Sequence, residues 1–190
     1  NKERGAKYEL ESLKMQEEVF VTLLKKQAKY PVSKSTSQII FGNPNADLLI
    51  SVFSNPHCEP CGRMHERLRE LQKKLEDKAC IQYIFSSFGG DLDQSNKFLI
   101  SAYQNNTIEN SEEIYDLWFN GGKYNTTDFF NKYQYDINAP AVEQEFRTHE
   151  EWKKETKLMA TPTILINGYE LPDVYKIEDL IFFKDLRIEM

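Results

Sequence analysis

Phe53-Ser54-Asn55-Pro56-His57-Cys58-Glu59-Pro60-Cys61-Gly62-Arg63-Met64-His65 lies between two segments of different hydrophobic period. Ahead of it, the apolar run Leu48 to Phe53 has the length and composition of a buried strand. Behind it, Met64, Leu68, Leu71 and Leu75 recur at a spacing that puts one apolar stripe on a helix. The two cysteines therefore stand at a strand-to-helix junction. The first turn of a helix offers unpaired backbone N–H groups and the positive end of the macrodipole, which together favour a thiolate. Cys58 is accordingly expected to be the nucleophile. Cys61, one turn further in, returns to nearly the same face and is placed to attack a mixed disulfide formed on Cys58. That makes it the resolving cysteine, and the expected redox group is a Cys58–Cys61 disulfide with no bound cofactor.

A C-x-x-C pair has other uses. A structural zinc site usually takes two such pairs, or one pair and two histidines at ligand spacing, and the additions nearby are His57 and His65. No metal site is therefore expected. Covalent haem would need a histidine directly after the second cysteine, where Gly62 stands. A plain structural disulfide remains open, although the junction of a strand and a helix is where exposed reactive pairs sit.

A second signal comes about a hundred residues later, in Met159-Ala160-Thr161-Pro162-Thr163-Ile164-Leu165-Ile166-Asn167-Gly168. The β-branched run ending in Asn-Gly predicts a strand entering a tight hairpin, and the proline ahead of it does not suit a central ladder position. A strand, C-x-P-C, a helix and a late Thr-Pro before a final hairpin together resemble the thioredoxin fold. The long segment between the two motifs, with Phe41-Gly42-Asn43-Pro44-Asn45-Ala46 ahead of the strand, is similar to the DsbA-type branch with its helical insertion. The run Asn167-Gly168-Tyr169-Glu170-Leu171-Pro172, with Tyr175 and Asp179-Leu180 after it, resembles thioredoxin domains fused to bacterial homologues of vitamin K epoxide reductase. The first resemblance covers roughly residues 36 to 185.

These resemblances imply an α/β protein with a thioredoxin fold, a DsbA-like helical insertion at about 91–158 and an N-terminal helical arm and linker over 1–35. They imply an extracytoplasmic protein disulfide oxidoreductase of a bacterium, periplasmic or tethered to the membrane. Its partners would be client proteins and a quinone-linked membrane oxidoreductase that reoxidises the cysteine pair. Thr161 and Pro162, in the cis form, would lie against the pair and bind substrate. The alternative is a redox-inactive or metal-holding interaction module on the same fold.

Three neighbours are expected to tune the pair: His57, Glu59 and Pro60. Pro60 fixes its own backbone angle, Glu59 places a negative charge that opposes a Cys58 thiolate, and His57 favours the thiolate when protonated. The expected potential lies between roughly −120 mV, as in DsbA, and −270 mV, as in thioredoxin. Many relatives carry a buried carboxylate six positions before the nucleophile. Here that position is Val52, and the nearest upstream acid is Asp47.

With 190 residues the chain suits one domain with a real core. The net charge of −6, without a basic stripe, points away from nucleic acid. The 10 Tyr and 12 Phe point away from disorder. Apolar runs reach strand length only, so no membrane span is expected, and a start without Met suggests a processed form or a piece of something larger. The third cysteine, Cys80, opens a probable strand and is expected to be a buried, inert core residue.

Elsewhere, Leu10, Leu13, Phe20, Leu24 and Ala28 predict one amphipathic helix over residues 3 to about 29, ended by Pro31. Such an arm can pack on the domain, pair with another copy or connect to an upstream membrane segment. Gln38 to Phe41 and Ile81 to Phe85 read as strands. Helices are expected around Phe98 to Ala102, from an Asn110/Glu113 capping box through Phe119, from Asn125 to Tyr133, from Pro140 through Trp152, and over Lys176 to Phe183.

Overall fold

Two parallel strands form the centre, β2 (Leu48–Ser54) and β3 (Ala79–Phe85), and every residue of both is buried. Strands buried on both faces need cover on both faces, and the chain supplies it from different segments. The computed structural model describes residues 1–189. Its one mixed sheet has the order β1-β3-β2-β4-β5, with β1 (Ile40–Gly42), β4 (Thr163–Ile166) and β5 (Tyr169–Glu170) all antiparallel to their neighbours.

One face carries the main core. Leu48, Ile50 and Val52 of β2 and Ile81 and Tyr83 of β3 pack with Leu68, Leu71 and Leu75 of a long helix. Phe20 and Leu24 from the N-terminal region, and Leu180 and Phe183 from a 3-10 segment at Ile177–Phe183, complete that layer. The other face is smaller and partly polar. Phe53, Ile84 and Leu165 meet Trp152 and Leu158. Beside them, Ser51 donates to the Gln82 side-chain oxygen at 2.8 Å, and the Gln82 amide donates to Ser33 O at 2.9 Å and Ser37 O at 3.1 Å. Buried amides need partners, and here the partners are backbone carbonyls of the 33–37 segment, which is thereby tied to the sheet.

The N-terminal region differs from the single helix its periodicity predicts. It forms α1 (Lys2–Lys14) and α2 (Glu17–Lys25), with Gln16 extended at φ −80°, ψ 135° between them. The break separates two chemistries. No residue of α1 is buried, whereas α2 turns Phe20 onto Phe183, stacked at 4.1 Å, and Tyr175, edge-on at 5.0 Å. Residues 28–30 then run beside β5: Glu170 N–H donates to Ala28 O at 2.9 Å and Tyr30 N–H to Gly168 O at 2.8 Å.

Strand β1 starts at Ile40, later than Gln38, because the Gln38 N–H is taken by the Glu145 carboxylate at 2.9 Å. It ends at Gly42, whose φ of +82° and closeness to Ala79 O, 2.6 Å from where a Cβ would sit, leave room for glycine alone. At the other end of the fold, Asn167 and Gly168 both have positive φ and close the β4–β5 hairpin, as an Asn-Gly turn should.

Helix α3, which follows the C-x-x-C junction, spans Glu59–Leu75. Four helices separate β3 from β4: α4 (Asp93–Gln104), α5 (Ile108–Phe119), α6 (Thr126–Tyr133) and α7 (Pro140–Thr156). Helix α5 begins earlier than the expected Asn110 capping box. Its cap is Thr107, whose hydroxyl accepts the Asn110 N–H at 3.2 Å. Around Trp118 of α5 the insertion builds an aromatic cluster, with Phe98, Phe129 and Phe130 against the indole.

Candidate active site

Strand β2 ends at Ser54, and four residues, Asn55 to Cys58, carry the chain to the first turn of α3. Asn55 shapes that turn: its carbonyl accepts Cys58 N–H at 3.2 Å and its side chain accepts His57 N–H at 2.9 Å. Trp118 holds it from the side, donating its indole N–H to Pro56 O at 2.9 Å. Cys58 is the N-cap of α3, with extended backbone, and its sulfur accepts the Cys61 N–H at 3.2 Å. A sulfur that receives a first-turn N–H is a sulfur whose negative charge is stabilised. Pro60 falls at the second position of the helix, where its missing N–H costs no helical bond.

The two thiols differ in access. Cys58 is partly exposed, and its thiol reaches Cys61 Sγ at 2.6 Å and Thr161 O at 3.7 Å. Cys61 is 1% exposed, with the Asn55 N–H directed at its sulfur from 3.4 Å. Burial first, then the contact with Cys58, push the Cys61 thiol up to about 11, against the opposing pull of the Asn55 N–H and the Thr161 side chain. The Thr161–Pro162 peptide is cis, and the Thr163 hydroxyl fastens the same loop by donating to Ala160 O at 2.6 Å. The pair and the Thr161 carbonyl thus come together from segments a hundred residues apart.

The surroundings depart from the simple picture of a protonated His57 beside the pair. The His57 ring lies edge-on to Trp118 at 5.6 Å and its Nε2 meets Ser95 Oγ at 2.7 Å. Burial, and then the positive charge of Lys123, hold it below the ordinary histidine range, so at neutral pH it is uncharged and supplies no cation. The cation present is Lys123, which sequence reasoning did not single out. Its side chain is only 3% exposed, and Nζ stands 3.5 Å from the Glu59 carboxylate. Glu59 is therefore an ion-paired group and not a bare negative charge near the sulfur. The available signal was Gly62: a Cβ there would come within 2.9 Å of Lys123 Nζ, so the glycine makes room for the ammonium.

Val52 packs in the main core, and Asp47 lies at the surface beside Arg187 at 3.3 Å, so no carboxylate reaches Cys61 from β2. Cys80 is fully buried at the start of β3, and burial raises its thiol as expected for an inert residue.

The profile of the thioredoxin family matches residues 34–181. The chain belongs to the thioredoxin family. No curated protein sequence matches it. Solved structures do, at low identity. The oxidoreductase DsbA from Xylella fastidiosa is 15% identical with a TM-score of 0.59, the match covering 83% of this chain and 88% of that one. Oxidised BdbD from Bacillus subtilis is 12% identical with a TM-score of 0.59, over 84% and 95% of the two chains. A linker-deletion mutant of Proteus mirabilis ScsC is 13% identical with a TM-score of 0.62, over 96% and 93%. These likenesses establish a DsbA-like thioredoxin fold with its helical insertion. No helix among the described residues is long and apolar enough to cross a membrane.

Proposed function

We propose that this thioredoxin-family chain is a protein thiol–disulfide oxidoreductase in which Cys58 is the nucleophile and Cys61 the resolving cysteine. The observation that carries the reading is the asymmetry of the pair. The Cys58 sulfur is accessible and receives a helix N–H, while the Cys61 sulfur touching it is buried and held as a thiol. In the oxidising direction, a client thiolate attacks Cys58 of the Cys58–Cys61 disulfide. Cys61 leaves as a thiolate and takes up a proton. A second client thiolate then attacks the client sulfur of the mixed disulfide, and Cys58 leaves with the electron pair. The client loses two electrons and the protein gains them. Thr161 O, beside Cys58, is an acceptor for the backbone of an extended client segment.

The same reading includes client proteins that carry thiols or disulfides, an extracytoplasmic location, and reoxidation of the pair by a quinone-linked membrane oxidoreductase resembling vitamin K epoxide reductase. Support for that partner is the resemblance of the Asn167–Pro172 run together with Tyr175 and Asp179-Leu180. The core claim is tested with a Cys61→Ser variant and a reduced, unfolded client under oxidising conditions. Mixed disulfides with the client should accumulate on Cys58 and be absent from Cys58→Ser. Equal trapping by the two variants would overturn the assignment. The partner claim is tested separately, by mixing the reduced chain with the membrane enzyme and quinone in detergent. Thiol loss no faster than in air would end it and leave the oxidoreductase reading intact.

A further inference from the structure

The first turn of α3 gathers positive potential from its free N–H groups, so a buried ammonium placed there is unfavourable unless a negative group answers it. Lys123 nevertheless lies against this turn. Its side chain is 3% exposed, and Nζ stands 3.5 Å from Glu59 Oε1. Among the described residues Glu59 is the one acid that pairs with it, and Glu59 opens α3 directly after Cys58.

The chain around Lys123 is shaped to bring the ammonium to this place. The lysine belongs to the 3-10 turn Gly122–Tyr124, which follows α5, and the turn is entered through Gly121 at φ +138°. A Cβ at Gly122 would fall 2.6 Å from the Phe129 ring, and one at Gly62 would fall 2.9 Å from Nζ itself. Gly62 belongs to α3, and its N–H donates to Cys58 O at 3.2 Å. Three glycines on two elements thus clear the way for one lysine, which a solvent-facing charge would not need. Its charge is felt on both sides of the nucleophile. Glu59 meets it in the ion pair, and at His57 burial first, and then Lys123, lower the imidazole.

Charge at this point matters because exchange creates it. When two glutathione thiols are oxidised to one disulfide, the Cys58–Cys61 S–S bond breaks and the protein takes up two electrons and two protons. Where the nucleophilic sulfur is ionised, one of those protons goes to water, and a negative charge remains that the disulfide form lacks. A neighbouring carboxylate disfavours the reduced form, and a neighbouring cation favours it. Glu59 is 56% exposed, so the buried ammonium, and not packing, fixes where its carboxylate stands.

We propose that Lys123 is a positioning residue for the redox pair, which cancels the charge that Glu59 places beside Cys58 and so sets the potential of the Cys58–Cys61 disulfide. This rests on the oxidoreductase reading. A merely structural ion pair with one half-exposed partner adds little to stability and has no reason to move a potential.

The test equilibrates the full chain, under nitrogen, with graded ratios of reduced to oxidised glutathione. Acid quench, alkylation and mass spectrometry then give the oxidised fraction of Cys58–Cys61. Lys123→Met leaves the Glu59 charge unanswered, and the equilibrium constant for reduction should fall roughly tenfold, a potential about 30 mV more negative. Glu59→Gln leaves the cation unanswered, and the constant should rise by about the same factor. The double variant should return to within about twofold of the wild type, because both charges are gone. Single effects of opposite sign that cancel in the double variant are a signature of charge, which lost packing does not reproduce. Lys123→Gln replaces Lys123→Met if the latter does not fold. Neutral variants of Lys123 that keep the wild-type constant, or that shift it in the same direction as Glu59→Gln, would overturn the role of Lys123 alone. A wild type whose cysteines never exchange with glutathione would overturn the oxidoreductase reading and this role with it.

Discussion

Alkylation of the reduced protein tests the asymmetry of the cysteines most directly. With its thiol pushed up to about 11, Cys61 at pH 7 is ionised in roughly one molecule in ten thousand, against about three in a hundred for an ordinary cysteine near 8.5. Iodoacetamide reacts with the thiolate, so ionisation alone should slow Cys61 roughly 300-fold, before its near-complete burial is counted. Cys80 should also be slow to appear, since it is fully buried and burial raises its thiol. The measurement is timed alkylation of native protein, then digestion and mass spectrometry of the three cysteine peptides. Cys58 should be modified first, and Cys61 and Cys80 only at rates set by opening of the structure. Raising the pH from 7 to 9 should accelerate Cys61 about a hundredfold wherever access is not limiting. Labelling of Cys61 as fast as Cys58 in native protein would refute the reasoning.

Replacing Trp118 by alanine removes a fully buried indole and the donor to Pro56 O, so a loss of about 3–5 kcal/mol is expected in urea unfolding, together with a less regular Cys58 turn. Lys123→Met takes away the cation that, after burial, holds His57 low. The imidazole titration of His57 measured by NMR should therefore move to higher pH. Glu145 illustrates acid sensitivity. Burial alone would raise it, but His149 at 2.7 Å and the Gln38 N–H outweigh burial and leave it below its ordinary value of 4.5. Its folded value is depressed, so its contribution is full above about pH 4.5 and lost as pH falls through the folded value. In urea unfolding, Glu145→Gln should cost stability at pH 7 and flatten the loss below pH 4.5.

Much of the fold was legible because local signals and burial agreed. The apolar run at 48–53, the Asn-Gly turn at 167–168 and Pro140 at a helix start each carry one physical meaning, and each forms the element it predicts. The N-terminal helix misled because Leu10, Leu13, Phe20 and Leu24 share one helical period, while only the last two find a surface to bury against. Periodicity records a face and not its partner. The same limit governs the site. Cys58, Cys61, Thr161 and Pro162 sit in short motifs with fixed spacing, so they could be read from the chain. Lys123 and Trp118 reach the site from other elements, and their places depend on how the insertion packs on α3. A lysine in a Gly-Gly-Lys-Tyr loop looks like solvent-facing charge until the absent Cβ of Gly62 is seen beside it.

The backbone pairing of residues 28–30 with the β4–β5 hairpin also bears on how this protein avoids sticking to its own kind. Strand β5 has two residues and would be a raw border of the sheet, with donors and acceptors open to any passing strand. Ala28 O, Tyr30 N–H and the Lys29–Tyr169 bridge occupy that border. A fragment cut to begin at residue 34, where the family match starts, would keep both cysteines and all five strands and still uncover it. Such a fragment is expected to self-associate edge to edge, and the first thirty residues act as a guard against that fate.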